Sequence, residues 1–369
     1  ENIIDIKKDG SFHLNQDYFD YAVGLKMTNS KFDLLFGRAA RNSVNEDLSQ
    51  FHMDIAASIQ EITEEIVLKI AKNISEEYKI DTLCMAGGVA LNCVANGKLL
   101  KNNIFKNLWI QPASGDAGGS LGAALAYWHI ELNKEKTNFK DSMQGSFLGP
   151  KFTATHVRNS LNNMGARFSE HNEQELLEVV AKSIEKGKAI GWFQGRMEYG
   201  PRALGARSII ADPRSETMQK TLNLKVKFRE SFRPFAPSIL REELTNFFDL
   251  DCDSPYMLLV SKINNNIKRE MNDDETGLFG IEKLNIKRSI IPAVTHIDYS
   301  ARIQTVDEFS NPKFYKLLKI FKKFTGCPVL INTSFNVRGE PIVCSPEDAF
   351  NCFMGTNLDI LVIENFIMF

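Results

Sequence analysis

"TLCMAGGVALNCVANGKLL", from Thr82 to Leu100, decides the architecture. A short apolar run, a pair of glycines and a helix-forming run read as strand, tight turn and helix. The same order returns in "NLWIQPASGDAGGSLGAAL", from Asn107 to Leu125. Two such units in succession call for an α/β fold. In each, the glycines let backbone amides approach a ligand closely, and the start of the following helix favours phosphate. For Gly87 and Gly88 a plain strand-to-helix turn is an equal alternative. Asp116, flanked by glycines, is well placed for a metal or a ligand hydroxyl, and equally for capping its own helix.

Taken together, the two loops suggest a nucleotide-binding half-domain of the sugar-kinase and actin type. Upstream, Ile55, Ile59, Ile62, Ile66, Ile70 and Ile74 recur at spacings of three and four. That is one long amphipathic helix packed by an isoleucine stripe. Downstream, the alanine-rich helix runs to about Leu132. From about Asn133 to Lys151 the chain turns polar, and the domain boundary is expected there. The second part opens with a helix from Glu173 to Lys186, stopped by Gly187. Its strands are expected in "KAIGWF", "IPAVTHID", "CPVLINTSF" and "DILVIENF". Ser345 and Pro346 begin a helix that Gly355 ends.

The chain has 369 residues, room for two domains with ample core. Hydrophobic residues make up 43% and charged residues 24%, as in soluble globular proteins. No apolar run reaches membrane-spanning length, and no start resembles a signal peptide. The first residue is Glu1 rather than Met, which suggests a processed product or an excised fragment. The six cysteines form no C-x-x-C pair, and reduced, buried thiols in a cytoplasmic protein are expected. A net charge of −2 argues against a nucleic-acid partner.

The charge is uneven, however. Between Arg196 and Arg233 stand nine basic residues against four acids. This excess points to a compact anionic ligand. "GRMEYGPRALGARSIIADPR", Gly195 to Arg214, reads as a rigid turn that aims guanidinium groups, with Arg196 and Arg214 as structural flanks. "KVKFRESFRPFAPS" is read as an extended stretch with Lys225, Lys227, Arg229 and Arg233 on one face. It would bind phosphate, form a salt-bridged surface strand or meet RNA through interleaved aromatics. "INTSFNVRGEP" sets Asn332, Ser334 and Asn336 at a strand end, where they suit phosphate, a urea-like group or simple turn formation. "THIDYSARIQTV" offers His296 and Arg302; a lone histidine at a strand end is more often structural. No H-x-x-x-H or H-E-x-x-H pair occurs, so a complete metal site is not encoded in this chain.

These motifs, in this order, resemble the O-carbamoyltransferase family of nodulation and antibiotic-tailoring enzymes. The matching stretches include "MAGGVALNCVANGKL", "QPASGDAGGSLGAAL", "GRMEYGPRALGARSIIADPR", "KFRESFRPFAPS", "VTHIDYSARIQTV" and "VLINTSFNVRGEPIV". The resemblance implies two domains. Residues 1–145 would be the C-terminal lobe of an actin-like ATPase domain, similar to the tRNA threonylcarbamoyl-transferase. Residues 146–369 would be a YrdC-like twisted α/β domain. The activity implied is formation of carbamoyl-adenylate from carbamoyl phosphate and ATP, then transfer to the hydroxyl of a small-molecule acceptor. By motif, Arg202, Arg207, Lys227, Arg229 and Ser334 would hold the carbamoyl group and phosphates. Gly87, Gly88 and Asn92 would contact nucleotide in the transferase domain, with Asn332, Asn336, His296 and Arg302 as further binding residues. Asp116 would be the carboxylate ligand of an iron ion, and magnesium could accompany the nucleotide. The family normally begins with another actin-like lobe that carries an H-x-x-x-H iron pair. That lobe is not in this sequence, so the transfer site is expected to be only half built. The other implied readings are a threonylcarbamoyl-adenylate module tied to RNA modification and a non-catalytic nucleotide-binding fragment.

Overall fold

The structure, a computed structural model, describes residues 2–42, 45–137, 141–278 and 282–369. Residues 138–140, within the polar stretch expected as a domain boundary, lie outside them. The chain divides into two compact units. One comprises Glu1–Leu83 and Val94–Trp109, the other Cys84–Cys93 and Ile110–Phe369. Among the described residues no helix is long and apolar enough to cross a membrane.

The first unit opens with a hairpin of β1 (Ile4–Ile6) and β2 (Phe12–Leu14). The isoleucine-striped segment forms the helix Gln50–Tyr78. Its stripe is less covered than its periodicity predicts. Ile59 stays 63% exposed, and its fully buried residues are Glu64 and Ala71. Glu64 can be buried because Gln60 Nε2 donates to it at 2.8 Å and Lys98 pairs with it. The expected strands form as β3 (Thr82–Met85) and β4 (Asn107–Ile110). In the second unit, the glycine-rich loop leads into the helix Ala117–Ala126, which gives way to a wider turn at Tyr127–Glu131 before the expected end.

The second unit is built on a mixed nine-stranded sheet. Its strands are β5 (Ser169–Glu170), β6 (Ile190–Phe193), β7 (Arg207–Ala211), β8 (Ala236–Leu240), β9 (Leu259–Lys262), β10 (Ser300–Val306), β11 (Val329–Ser334), β12 (Ile360–Ile363) and β13 (Phe366–Met368). Their order is β5-β13-β12-β6-β7-β11-β8-β10-β9. The β12–β6 and β10–β8 pairs are parallel and the others antiparallel. Every residue of β6, β7, β8 and β12 is buried, which explains why these strands read as apolar runs rather than alternations. Helix Pro312–Thr325 packs on helix Glu173–Glu185 and touches β8 and β11. Helix Pro346–Met354 packs on Ala154–Asn163 and touches β6 and β12. Ser345 caps Pro346–Met354 by accepting from Asp348 N.

Three local expectations fail. "IPAVTHID" is not a strand: Pro292–Val294 form a short 3-10 turn, and the strand starts at Ser300. Pro292 lacks a backbone donor for a ladder, and the turn uses it at its first position. "KVKFRESF" is not extended either. Lys225 ends the helix Met218–Lys225, and Phe228 takes a left-handed φ of +47°. Its cations therefore share no face: Lys227 is buried, while Lys225 and Arg233 point outward. All six cysteines are free, but only Cys327 and Cys352 are buried, and Cys84 is exposed.

Gly205 marks the tightest point. Its φ is +101°, and a Cβ there would lie 2.4 Å from the Phe314 ring. Gly205→Ala should cost about 2–4 kcal/mol in urea unfolding through strain and overpacking. Gly165→Ala, with φ +69° but nothing within 4 Å of the added carbon, should cost only about 1 kcal/mol. Equal losses would contradict the packing around Gly205.

Candidate active site

The arginine-rich turn is organised from inside by a carboxylate. Glu198 is buried, and its Oε1 accepts from Leu204 N at 2.6 Å, Ala206 N at 2.8 Å and Arg207 N at 3.3 Å. Burial pushes its pKa upward, against the pull of those amides. Gly195, Gly200 and Gly205 all adopt positive φ, so the chain can fold back around this one side chain.

The four arginines of the turn have four different settings. Arg207 is fully buried and donates to the carbonyls of Gln194, Gly195, Ala206 and Pro150 at 3.1–3.3 Å. Its guanidinium carbon lies 3.4 Å from the centre of the Phe193 ring. Arg214 makes a fork with Asp212 at 2.6–3.1 Å. Arg196 donates to the Gly149 carbonyl at 3.1 Å. Of these four, Arg202 alone lines the adjoining space.

That space is a cavity of about 150 Å³. Arg202, Arg229 and Arg302 line it, together with Asn332, Thr333 and Ser334 at the end of β11. Pro201, Pro234, Phe235 and Met257 supply apolar wall. Among the described residues, none lining the cavity is a carboxylate. Burial, then the neighbouring Arg302, pulls Arg202 down to about 10; burial and then Arg233 bring Arg229 to about 10. Arg202 and Arg229 therefore remain cations at neutral pH. Like charges gathered away from water repel, and an anion held between them removes that cost. The Nε of Arg202 and the Oδ1 of Asn332 are buried without hydrogen-bond partners.

Other residues singled out from the sequence stand beside this cavity rather than in its lining. Lys227 is buried, and its Nζ meets Asn336 Oδ1 at 2.7 Å, the Asn336 carbonyl at 3.0 Å, Ser334 Oγ at 3.1 Å and the Ser334 carbonyl. It ties the end of β11 to the following turn. Burial, then Arg229, pushes it down to about 7. His296 hydrogen-bonds through its backbone to Ser300, and burial pushes its imidazole down to about 4. Arg207 likewise sits in the core, where four backbone carbonyls accept from its guanidinium.

The two glycine turns meet each other, Gly87 N donating to the Ser114 carbonyl at 2.9 Å. Gly87 has φ +100° and precedes the 3-10 turn Gly88–Leu91, which Asn92 closes. Arg202 Nη2 reaches the Leu91 carbonyl at 3.4 Å, so this turn flanks the three-arginine cavity. Asp116 is exposed at the start of its helix, and its side chain makes no capping hydrogen bond. Among the described residues there is no group of three His, Cys, Asp or Glu that could hold a metal. The described residues by themselves do not fit an iron site.

Three supporting residues escaped the sequence reading. Asn223 is fully buried; it accepts from Arg229 Nε at 2.6 Å and donates to the carbonyls of Ser231 and Arg233, aiming Arg229 inward. Gln304 bridges Leu204 and Asn332. Glu198 had a signal, as the lone carboxylate among the arginines and glycines between 195 and 207. Asn223 and Gln304 lie in ordinary helix and strand sequence and carry none.

The cavity should bind sulfate, whose charge does not change near neutrality. Lys227 is charged below about 7 and loses its proton above it, so the positive field weakens as pH rises. Calorimetric titration should show sulfate affinity falling between pH 6 and 8, on the order of severalfold. Lys227→Met should give a weaker and flat profile. An unchanged slope in that variant would assign the titration to another group.

Known proteins resemble this chain along most of its length. Residues 181–369 match the family described as Carbamoyltransferase C-terminus, and residues 1–125 match Carbamoyltransferase N-terminus. The uncharacterized protein sll1178 of Synechocystis is 55% identical over 100% of this chain and 60% of its own length. Nodulation protein NolNO of Sinorhizobium fredii is 40% identical over 87% of this chain and 44% of its own. Nodulation protein NolO of Bradyrhizobium diazoefficiens is 38% identical over 87% of this chain and 55% of its own. The chain thus spans about half the length of these curated relatives. The chain belongs to the carbamoyltransferase family, with both its N-terminal and C-terminal regions represented.

Proposed function

We propose that this chain forms carbamoyl-adenylate from carbamoyl phosphate and ATP, and that the three-arginine cavity is where it does so. The observation that carries this reading is the convergence of Arg202, Arg229 and Arg302 on one small cavity lined by no carboxylate. The sum balances with one water: carbamoyl phosphate, ATP and water give carbamoyl-adenylate, phosphate and pyrophosphate. Every species in it except water carries phosphate, and chemistry of this kind is accelerated chiefly by positioning and by fixed positive charge. Planar guanidinium forks match phosphate oxygens two at a time.

In this reading Arg202, Arg229 and Arg302 contact phosphate oxygens, with Ser334 beside them at the end of β11. Lys227 and Asn336 hold the strand end that presents Ser334. Arg207 is a positioning residue that fixes the turn beneath Arg202. Residues 146–369 act as the YrdC-like adenylate-forming domain. Residues 1–145 act as a lobe of an actin-like transferase domain, in which Gly87, Gly88 and Asn92 meet nucleotide. Passing the carbamoyl group to a small-molecule hydroxyl then calls on groups outside this chain, in line with the greater length of the relatives. The free thiols suit a cytoplasmic setting.

The test is exchange of labelled pyrophosphate into ATP. It should depend on carbamoyl phosphate. Arg302→Ala should lower it by roughly 10²–10³, the loss of one preorganised charge-assisted contact. Lys220→Ala, at an exposed position, should leave it unchanged. Exchange that ignores carbamoyl phosphate, or survives Arg302→Ala in a folded protein, would contradict the assignment.

A further inference from the structure

We infer that Asn332 makes the cavity selective for a carbamoyl group by accepting a hydrogen bond from its amide nitrogen. The inference rests on the proposed use of the cavity for carbamoyl phosphate. It is carried by an acceptor with nothing to accept. Asn332 is 1% exposed and lines the cavity, and its Oδ1 has no hydrogen-bond partner. A buried, unmet carbonyl oxygen costs free energy unless a ligand donor meets it.

The orientation of this amide follows from a chain of donors. The Leu204 carbonyl can only accept, so the Gln304 atom 2.8 Å from it must be Nε2. Gln304 Oε1 therefore faces the other way. There it accepts from Ser238 Oγ at 2.5 Å and from Asn332 Nδ2 at 2.9 Å. With Nδ2 committed to Gln304, the oxygen of Asn332 is the atom left free. All of these side chains are buried, so the hydrogen bonds among them fix the arrangement. Leu204 itself is pinned through its amide to Glu198. The acceptor is thus set by the same carboxylate that shapes the arginine turn.

The chemistry of the ligand completes the argument. Arg202, Arg229 and Arg302 only donate and match phosphate oxygens. A carbamoyl group differs from an acetyl group of similar size by carrying N–H donors where acetyl has a methyl. Against acetyl phosphate, Asn332 Oδ1 stays unmet and faces a methyl group. A site built around a ligand N–H rejects the analogue that lacks it.

Calorimetric titration of the chain with carbamoyl phosphate and with acetyl phosphate tests this. The unaltered chain should bind carbamoyl phosphate at least about tenfold more tightly, the size of one buried unmet group. Asn332→Leu and Asn332→Ala should bring the two affinities to within about twofold, mainly by weakening carbamoyl phosphate. Retained acetyl phosphate binding shows that a variant is folded. Equal affinities in the unaltered chain overturn the role of Asn332 while the anion cavity stands. Preference preserved in both variants also overturns it. Failure of both acyl phosphates to bind the unaltered chain overturns this role and the proposed function together.

Discussion

A carboxylate removed from water must find donors, and Glu198 finds three of them in one stretch of backbone. That requirement shapes the turn between residues 198 and 207. With the amides of Leu204, Ala206 and Arg207 drawn to one oxygen, the chain has to bend through Gly200 and Gly205 at positive φ. The bend carries Arg202 to the cavity and Arg207 into the core. It also presents the Leu204 carbonyl to Gln304, which in turn orients Asn332. One buried acid therefore sets both the cationic and the accepting side of the same cavity.

The density of arginine in this region has two physical sources. Arg207 and Arg214 are structural, one satisfying carbonyls deep in the fold and the other paired with Asp212. Arg202, Arg229 and Arg302 have no carboxylate in the cavity that they share. Arg229 depends on Asn223 and on the Phe235 ring, 5.1 Å from its guanidinium carbon. The three cavity cations come from separate turns and from β10, and the sheet is what brings them together.

Much of this was legible from the sequence. Strand, glycine turn and helix were readable at Thr82–Leu100 because each has its own residue chemistry, and the helix caps at Ser345 and Gly187 followed from local rules. The gathering of Arg202, Arg229, Arg302, Asn332 and Ser334 was anticipated as motifs, though not as one cavity. The burial of Arg207 was not legible. Glycine and proline spacing announces a rigid turn but not which arginine faces inward. The extended reading of "KVKFRESF" failed because alternating cations and aromatics look alike on a strand and on a helix end followed by a turn. Gln304 and Asn223 were silent because their importance arises from contacts with Leu204, Asn332 and Arg229, distant in the chain or set by its folding.

Membership of the carbamoyltransferase family and the three-arginine cavity are joined by one claim, that carbamoyl phosphate sits between those guanidinium groups. A crystal structure of the chain soaked with carbamoyl phosphate tests it most directly. Phosphate density is expected between Arg202, Arg229 and Arg302, with the carbamoyl nitrogen within hydrogen-bond distance of Asn332 Oδ1. Ordered ligand elsewhere, such as against the Gly87–Gly88 turn, with this cavity left to solvent, would contradict it.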